Sequence, residues 1–268
     1  MRRRRLAALV ALLALNAQAA NAALDCTLVT DASTGRVVHQ SGDCTSRVTP
    51  ASTYKLALSL MGFDTGYLHD AHTPTLDYRP GDPDWGGDAW RQPTDPARWI
   101  KLSVVWYSQR ITHALGAERI AQYTRAFGYG NADLAGDLGK GNGLDRAWIG
   151  SSLKISPVEQ ATFLRKLVNR QLPVSGYALD MTSRLSLLEE RPAGWEMHGK
   201  TGMAYPRDAA GVSDEAHAYG WFVGWAVKDG RTLVFVRMRQ DEEVQKVSAG
   251  VRLRGELLGG WGRLSSED

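Results

Sequence analysis

The sequence predicts an α+β fold: an antiparallel sheet flanked by helices, with a helical domain inserted into it. Three observations predict it. Short β-prone runs lie near both ends, at 27–30 and 36–39 early and at 195–201, 219–227 and 232–238 late. Turn chemistry such as Lys228-Asp229-Gly230 separates the late runs, as between neighbouring antiparallel strands. Helical periodicity fills the middle. A chain of 268 residues, 43% hydrophobic and 23% charged, can bury the core that such a fold needs.

The first element is a processing segment. Arg2 to Arg5 form a charged stretch, 6–15 an apolar stretch too short to span a bilayer, and Ala20-Asn21-Ala22 a small-residue cleavage site. Residues 1–22 therefore read as a signal peptide, by a general or a twin-arginine export route, with a periplasmic mature protein starting near Ala23. Cys26 and Cys44 follow. Between them Thr27-Leu28-Val29-Thr30, a turn at 31–35 and Arg36-Val37-Val38-His39 read as a hairpin. An even cysteine count in an exported protein favours a disulfide, and the hairpin folds the two back toward each other.

Pro50-Ala51 then precede Ser52-Thr53-Tyr54-Lys55 and the apolar run 56–61, a helix opened by Ser52. Residues 62–96, rich in Asp, Pro, Gly and Trp, read as a long ordered loop. Asp95-Pro96 supplies a cap and a first-turn proline for helical residues 97–127, in two pieces broken near Gly116. A turn follows at Gly128-Tyr129-Gly130-Asn131, then a glycine-rich loop over 132–152. Ser156-Pro157-Val158-Glu159 opens a helix to about Leu172, another spans 175–190, and a last one runs over 247–258. The economical assembly places residues 23–50 and 191–268 in the sheet-containing unit and 51–190 in the helical unit. The Ser52 helix then lies at the seam, where small-molecule clefts are common.

Net charge is +3, and Arg2 to Arg5 alone account for more than that. No basic stripe remains to bind nucleic acid or an acidic membrane. His69 and His72 lack the Cys or Glu companions of a metal site.

Chemistry concentrates in a few places. Residues three apart share a helix face, so Ser52 and Lys55 bring a hydroxyl and an amine together. A serine hydroxyl attacks only when a base takes its proton. Helix-start N–H groups beside it suit a developing oxyanion. Ser103, in the piece 101–107 at a helix start, can relay a proton between Lys55 and a leaving nitrogen. Lys200-Thr201-Gly202 ends a strand with a cation, a hydroxyl and unhindered backbone, a combination that holds a carboxylate. Tyr129 is a candidate cleft wall, and Trp148 offers an indole N–H to whatever Lys55 becomes. Each has a plainer reading alone, as cap, core or solvated residue.

Together, Ser52-x-x-Lys55, Ser103-x-Val105, Tyr129-Gly130-Asn131, Trp148 and Lys200-Thr201-Gly202 resemble, in order and spacing, the class D, oxacillinase-type serine β-lactamases. The words at 106–109, 155–160 and 220–225 are similar to that family too, so the resemblance covers essentially the whole mature chain. It implies hydrolysis of small-molecule β-lactams through an acyl-enzyme on Ser52. The amides of Ser52 and Met203 would form the oxyanion hole, and Val105, Tyr129, Lys200, Thr201 and Gly202 would contact substrate. It also implies that Lys55 reacts with CO2 to give a carbamate, N6-carboxylysine, as the base, with no other cofactor and no metal. An ordinary lysine is neutral in only about one molecule in 2,500 at pH 7, so this chemistry requires burial of the amine.

One departure concerns the substrate carboxylate. The family often carries an arginine near the start of the last helix, where this chain has Gly250. Arg252 is the candidate substitute, with Arg254, Arg237 and Arg239 behind it. Two other activities share parts of the pattern: a non-hydrolytic β-lactam sensor and a D-Ala-D-Ala peptidase. The Tyr129-Gly130-Asn131 and Trp148 words separate the chain from the peptidase.

Overall fold

The computed structural model describes residues 24–208 and 210–266. The signal-peptide expectation for 1–22 lies outside them. No helix among the described residues is long and apolar enough to cross a membrane.

Five strands form one antiparallel sheet: β1 (Asp25–Asp31), β2 (Val37–Gly42), β3 (Glu196–Ala204), β4 (Tyr219–Lys228) and β5 (Arg231–Gln240), in the order β2-β1-β5-β4-β3. The fold class read from the sequence is the one observed. The late strands share the expected cause: Asp229 and Gly230 both take positive φ, 50° and 76°, so Lys228 pairs directly with Arg231 across a tight hairpin. The first strand is sealed to the last, Leu28 opposite Val236. Cys26 and Cys44 are disulfide-bonded, closing a loop of 18 residues worth about 3 kcal/mol in chain entropy.

The helices are α1 (Lys55–Asp64), α2 (Pro96–Leu102), α3 (Val105–Leu115), α4 (Ala117–Phe127), α5 (Gly143–Arg146), α6 (Pro157–Val168), α7 (Gly176–Ser186) and α8 (Ala249–Leu264). The predicted caps are present. The Asp95 carboxylate accepts from the Arg98 amide at 2.8 Å, and Ser156 with Glu159 forms a full capping box. The structure differs from expectation at several ends. The 97–127 stretch breaks at Ser103 as well as at Gly116. Ser103 takes φ 61°, which ends α2 and lets α3 leave in a new direction. The helix expected to reach Leu172 stops at Val168, and the final helix continues six residues further than 258 because Leu257 and Trp261 remain buried against the sheet.

Two cores result. The larger fills the space between α1, α3, α4, α6 and one sheet face; the smaller, with Phe222, Phe235, Leu253 and Trp261, lies under α8 on the other face. Helix α1 is buried from Lys55 through Phe63, which fits its nearly uninterrupted apolar run.

β3 is one of the two outer strands, at the opposite side of the sheet from β2. A bridge between Leu187 and His198 covers its first half. From Gly199 to Ala204, no described strand pairs with that outer edge.

Candidate active site

Residues 48–50 are pinned before Ser52 is reached. Val48 and Ile155 exchange backbone hydrogen bonds at 3.1 and 2.9 Å. The Trp221 indole donates to the Thr49 carbonyl at 2.9 Å, and the Thr49 hydroxyl donates to the Trp148 carbonyl at 2.8 Å. Thr49 therefore ties the sheet, the entering chain and the Trp148 loop at one point. Ala51 then takes φ 51°, a left-handed conformation that costs a non-glycine residue about 1–2 kcal/mol. It is held there because Thr53 binds the Pro50 carbonyl twice, through its amide at 3.2 Å and its hydroxyl at 2.7 Å. Gln160 donates to the same Thr53 hydroxyl at 2.7 Å. The result is a turn of 3-10 helix, Ala51–Tyr54, leading into α1. Ser52 thus lies in the tighter turn ahead of the α-helix that it was expected to open.

Ser52 is half-buried and Lys55 is 0% exposed. The Lys55 amine donates to Ser52 Oγ at 3.3 Å. Burial pushes the Lys55 pKa well below its usual value, and the positive charge of Lys200 adds to the effect. Lys200, 4% exposed, is lowered to about 7 by its own burial and by Arg254. Its amine donates to the Thr201 carbonyl at 3.1 Å. Gly202 explains how β3 comes so close: a Cβ there would lie 3.1 Å from both the Pro50 carbonyl and the Thr53 methyl. The following residue, Met203, is thereby carried beside the Ser52 turn.

Trp148 is 1% exposed, and its ring centroid lies 5.8 Å from that of Tyr54, the residue before Lys55. Its buried indole N–H has no hydrogen-bond partner. Ser103 is half-buried at the junction of α2 and α3.

The structure places three of the expected substrate contacts as follows. Tyr129 is 0% exposed, edge-on to both Tyr54 and Phe163 with centroids 5.1 Å apart, so it braces the Ser52 turn from behind. The cause is Gly130, whose φ of 57° lets the turn press against the Lys154 carbonyl and directs Tyr129 inward. Val105 is likewise buried, in the first turn of α3. Arg252 donates to Asp241 at 2.6 Å and to the Val247 carbonyl at 3.1 Å, and lines a different cleft from Lys200. Arg239 is held by Glu256 at 2.6 Å, and Arg237 by Asp25 and the Cys26 carbonyl. Of these four arginines it is Arg254 that shares a groove of about 650 Å³ with Lys200 and Thr201, its guanidinium on Glu190 at 2.6 Å. The sequence carried a signal for it, since Arg254 was among the residues just beyond Gly250. Gly250 itself cannot be replaced by an arginine without displacing backbone: its Cβ would stand 2.6 Å from the Gly202 carbonyl.

The chain is similar to known proteins in sequence and in fold. Residues 25–257 match the family model described as the penicillin binding protein transpeptidase domain. The chain is 42% identical to β-lactamase OXA-9 of Klebsiella pneumoniae, covering 88% of this chain and 86% of that protein. It is 38% identical to β-lactamase OXA-1 of Escherichia coli, over 79% and 74%. The crystal structure of OXA-427, a class D β-lactamase, superposes with a TM-score of 0.84 at 45% identity, covering 89% of this chain and 97% of that one. With a serine one turn from a buried lysine on the same fold, the chain belongs to the class D serine β-lactamases, within the penicillin-binding transpeptidase family.

Proposed function

We propose that the protein hydrolyses β-lactam antibiotics through an acyl-enzyme on Ser52, with Lys55 as the seat of the general base. The observation that carries this reading is the fully buried amine 3.3 Å from the Ser52 hydroxyl. A charged lysine could not accept a proton, and burial favours the uncharged form.

The surroundings fit a carbamate on Lys55. The amine is held toward neutrality, as reaction with CO2 requires, and the unpartnered Trp148 N–H is a donor that a carbamate oxygen would satisfy. When formed, that group supplies a carboxylate-like base on the Ser52 side of the crevice.

The remaining roles fall to the chain's own residues. Lys200, in its charged form, and Thr201 hold the substrate carboxylate at the open edge of β3. The amides of Ser52 and Met203 receive the carbonyl oxygen as Ser52 Oγ attacks. Ser52 gives up its proton toward Lys55, the lactam C–N bond breaks, and Ser103 passes a proton to the departing nitrogen. Water, deprotonated on the Lys55 side, then attacks the ester and frees Ser52. The signal-peptide pattern supports a periplasmic site of action.

The test is turnover of nitrocefin by the purified protein in CO2-depleted, mildly acidic buffer, with and without added bicarbonate. Steady hydrolysis that recovers with bicarbonate, together with a lysine carbamate resonance from 13C-bicarbonate, is expected. A single burst without turnover would select a sensor instead, and indifference to bicarbonate would remove the carbamate.

A further inference from the structure

Ser103 stands in a backbone conformation that a serine does not adopt unaided. Its φ of 61° and ψ of 31° place it in the left-handed region as the C-cap of α2, where Cβ crowds the following carbonyl. The amides of Ser103 and Val104 both return to one acceptor, the Trp99 carbonyl, Val104 at 3.2 Å. The Leu102 carbonyl, one peptide bond before Ser103, is among those a helix end leaves without an intrahelical donor. Trp90 meets that need: its indole N–H donates to the Leu102 carbonyl at 2.9 Å.

The indole is itself held on two sides. Trp106, in the first turn of α3, donates its own indole N–H to the Trp90 carbonyl at 2.8 Å. Gly86 lies flat against the ring: a Cβ there would stand 2.1 Å from Trp90 Nε1, so a side chain would push the donor away from Leu102. The surrounding strap, residues 79–94, is fastened to both helices that meet at Ser103. Arg98 of α2 donates to the Ala89 carbonyl at 2.7 Å, and Arg110 of α3 holds Asp82 at 2.7 Å. Burial alone would ask only for an aromatic at position 90. The direction of its N–H, and the glycine that makes room for it, serve the junction.

We propose that Trp90 is a positioning residue for the reaction, holding the left-handed junction from which Ser103 serves the departing lactam nitrogen. The inference rests on the assignment of Ser103 to that proton transfer. Trp90 acts through Ser103, by its hydrogen bond to the Leu102 carbonyl. Its loss therefore slows the step in which the lactam nitrogen leaves and spares the step in which water attacks the ester.

A double-mutant cycle read by pre-steady-state acylation with nitrocefin tests this. Trp90→Phe keeps an aromatic ring and removes the donor, while Gly86→Ala keeps the donor and displaces it. Each is expected to lower the acylation rate about tenfold, below the 10²–10⁴ that a positioned acid–base group contributes in full. Deacylation should stay within about twofold, and in a Ser103→Ala background neither change should cost more than about twofold, because coupled residues act as a unit. Equal losses with and without Ser103, or slowing of both steps alike, would overturn the proposal. A Ser103→Ala enzyme that acylates at the full rate would overturn the assignment of Ser103 itself and leave Trp90 as packing. Should Trp90→Phe fail to fold, the same cycle with Gly86→Ala decides.

Discussion

Lys55 and Lys200 are two amines buried in one crevice, 0% and 4% exposed, and the charge of Lys200 bears on Lys55. Burial is the larger cause of the lowered pKa in both, and Arg254 adds to it for Lys200. The proposed chemistry asks opposite things of them. Lys55 must be uncharged to meet CO2, whereas Lys200 must be charged to hold a carboxylate.

A pH dependence follows. Lys200 loses its proton as pH rises through about 7, so KM for an anionic penicillin is expected to rise on the alkaline side. Added bicarbonate should matter most on the acid side, where Lys55 is more often protonated. Replacing Lys200 by Met removes the neighbouring charge that helps keep Lys55 neutral. That variant should need more bicarbonate for half-maximal carbamylation, read by 13C NMR. An unchanged bicarbonate requirement would separate the two amines.

Stability should move with pH for the same reason. The unfolded chain keeps both lysines protonated up to their ordinary value of 10.5, while the folded chain has released the Lys200 proton above about 7. The unfolded state then binds more protons over that window, so stability rises with pH across it. The cost of burying Lys200 as a cation is carried in full below about pH 7 and is relieved above. Urea unfolding of the wild type and Lys200→Met at pH 6 and pH 9 measures it: the wild type should lose more stability than the variant on going to pH 6.

Ser52→Ala is expected to abolish covalent labelling by a fluorescent penicillin, because no other described hydroxyl accepts a hydrogen bond from the Lys55 amine. Lys55→Ala should still acylate slowly but hold the ester, with turnover down by about 10²–10⁴ as for loss of a general base. Intact-protein mass spectrometry after a penicillin pulse distinguishes them: no adduct for the first, a persistent adduct for the second.

Trp148→Phe removes a single N–H from a ring that is 1% exposed and has no partner for it. If that donor holds the carbamate, half-saturation by bicarbonate should rise about tenfold, the worth of one hydrogen bond to a charged group. Thermal stability should change little. A variant that carbamylates normally would make Trp148 a packing residue.

Gly250→Val places a side chain where a Cβ alone would lie 2.6 Å from the Gly202 carbonyl and 3.1 Å from the Gly202 nitrogen. Overpacking of this kind costs about 1–3 kcal/mol. The strand must yield next to Met203, so acylation should slow along with a lowered Tm. An unaffected acylation rate would show that the oxyanion site does not depend on this contact.

The local chemistry of the site was legible because it is written in short, ordered words. The Ser52 and Lys55 pair needs only a helical turn, and the caps at Asp95 and Ser156 act within three residues of themselves. Other features depended on contacts that spacing cannot reveal. Tyr129 faces inward because Gly130 presses on Lys154, 24 residues later in the chain. Arg252 is spent on Asp241 at the far end of β5, while Arg254, two residues on, reaches the groove of Lys200. A helix start at Ser103 was legible, but its left-handed backbone was not, because nothing in its own segment demands it; the indole that supports the junction, through the Leu102 carbonyl, belongs to a loop twelve residues before Leu102.

The strand order has a consequence for biogenesis. β1 is finished within the first 31 residues, yet its partner β5 begins at residue 231, and β3, whose edge flanks Ser52, begins at 196. While the polypeptide is still being made, Ser52 has emerged but the wall opposite it has not. Closing that long-range seam is a slow event, since distant segments must meet before any contact rewards them. A nascent or truncated chain therefore lacks the β3 wall beside Ser52, and the proposed site is complete only when roughly the last quarter of the polypeptide docks.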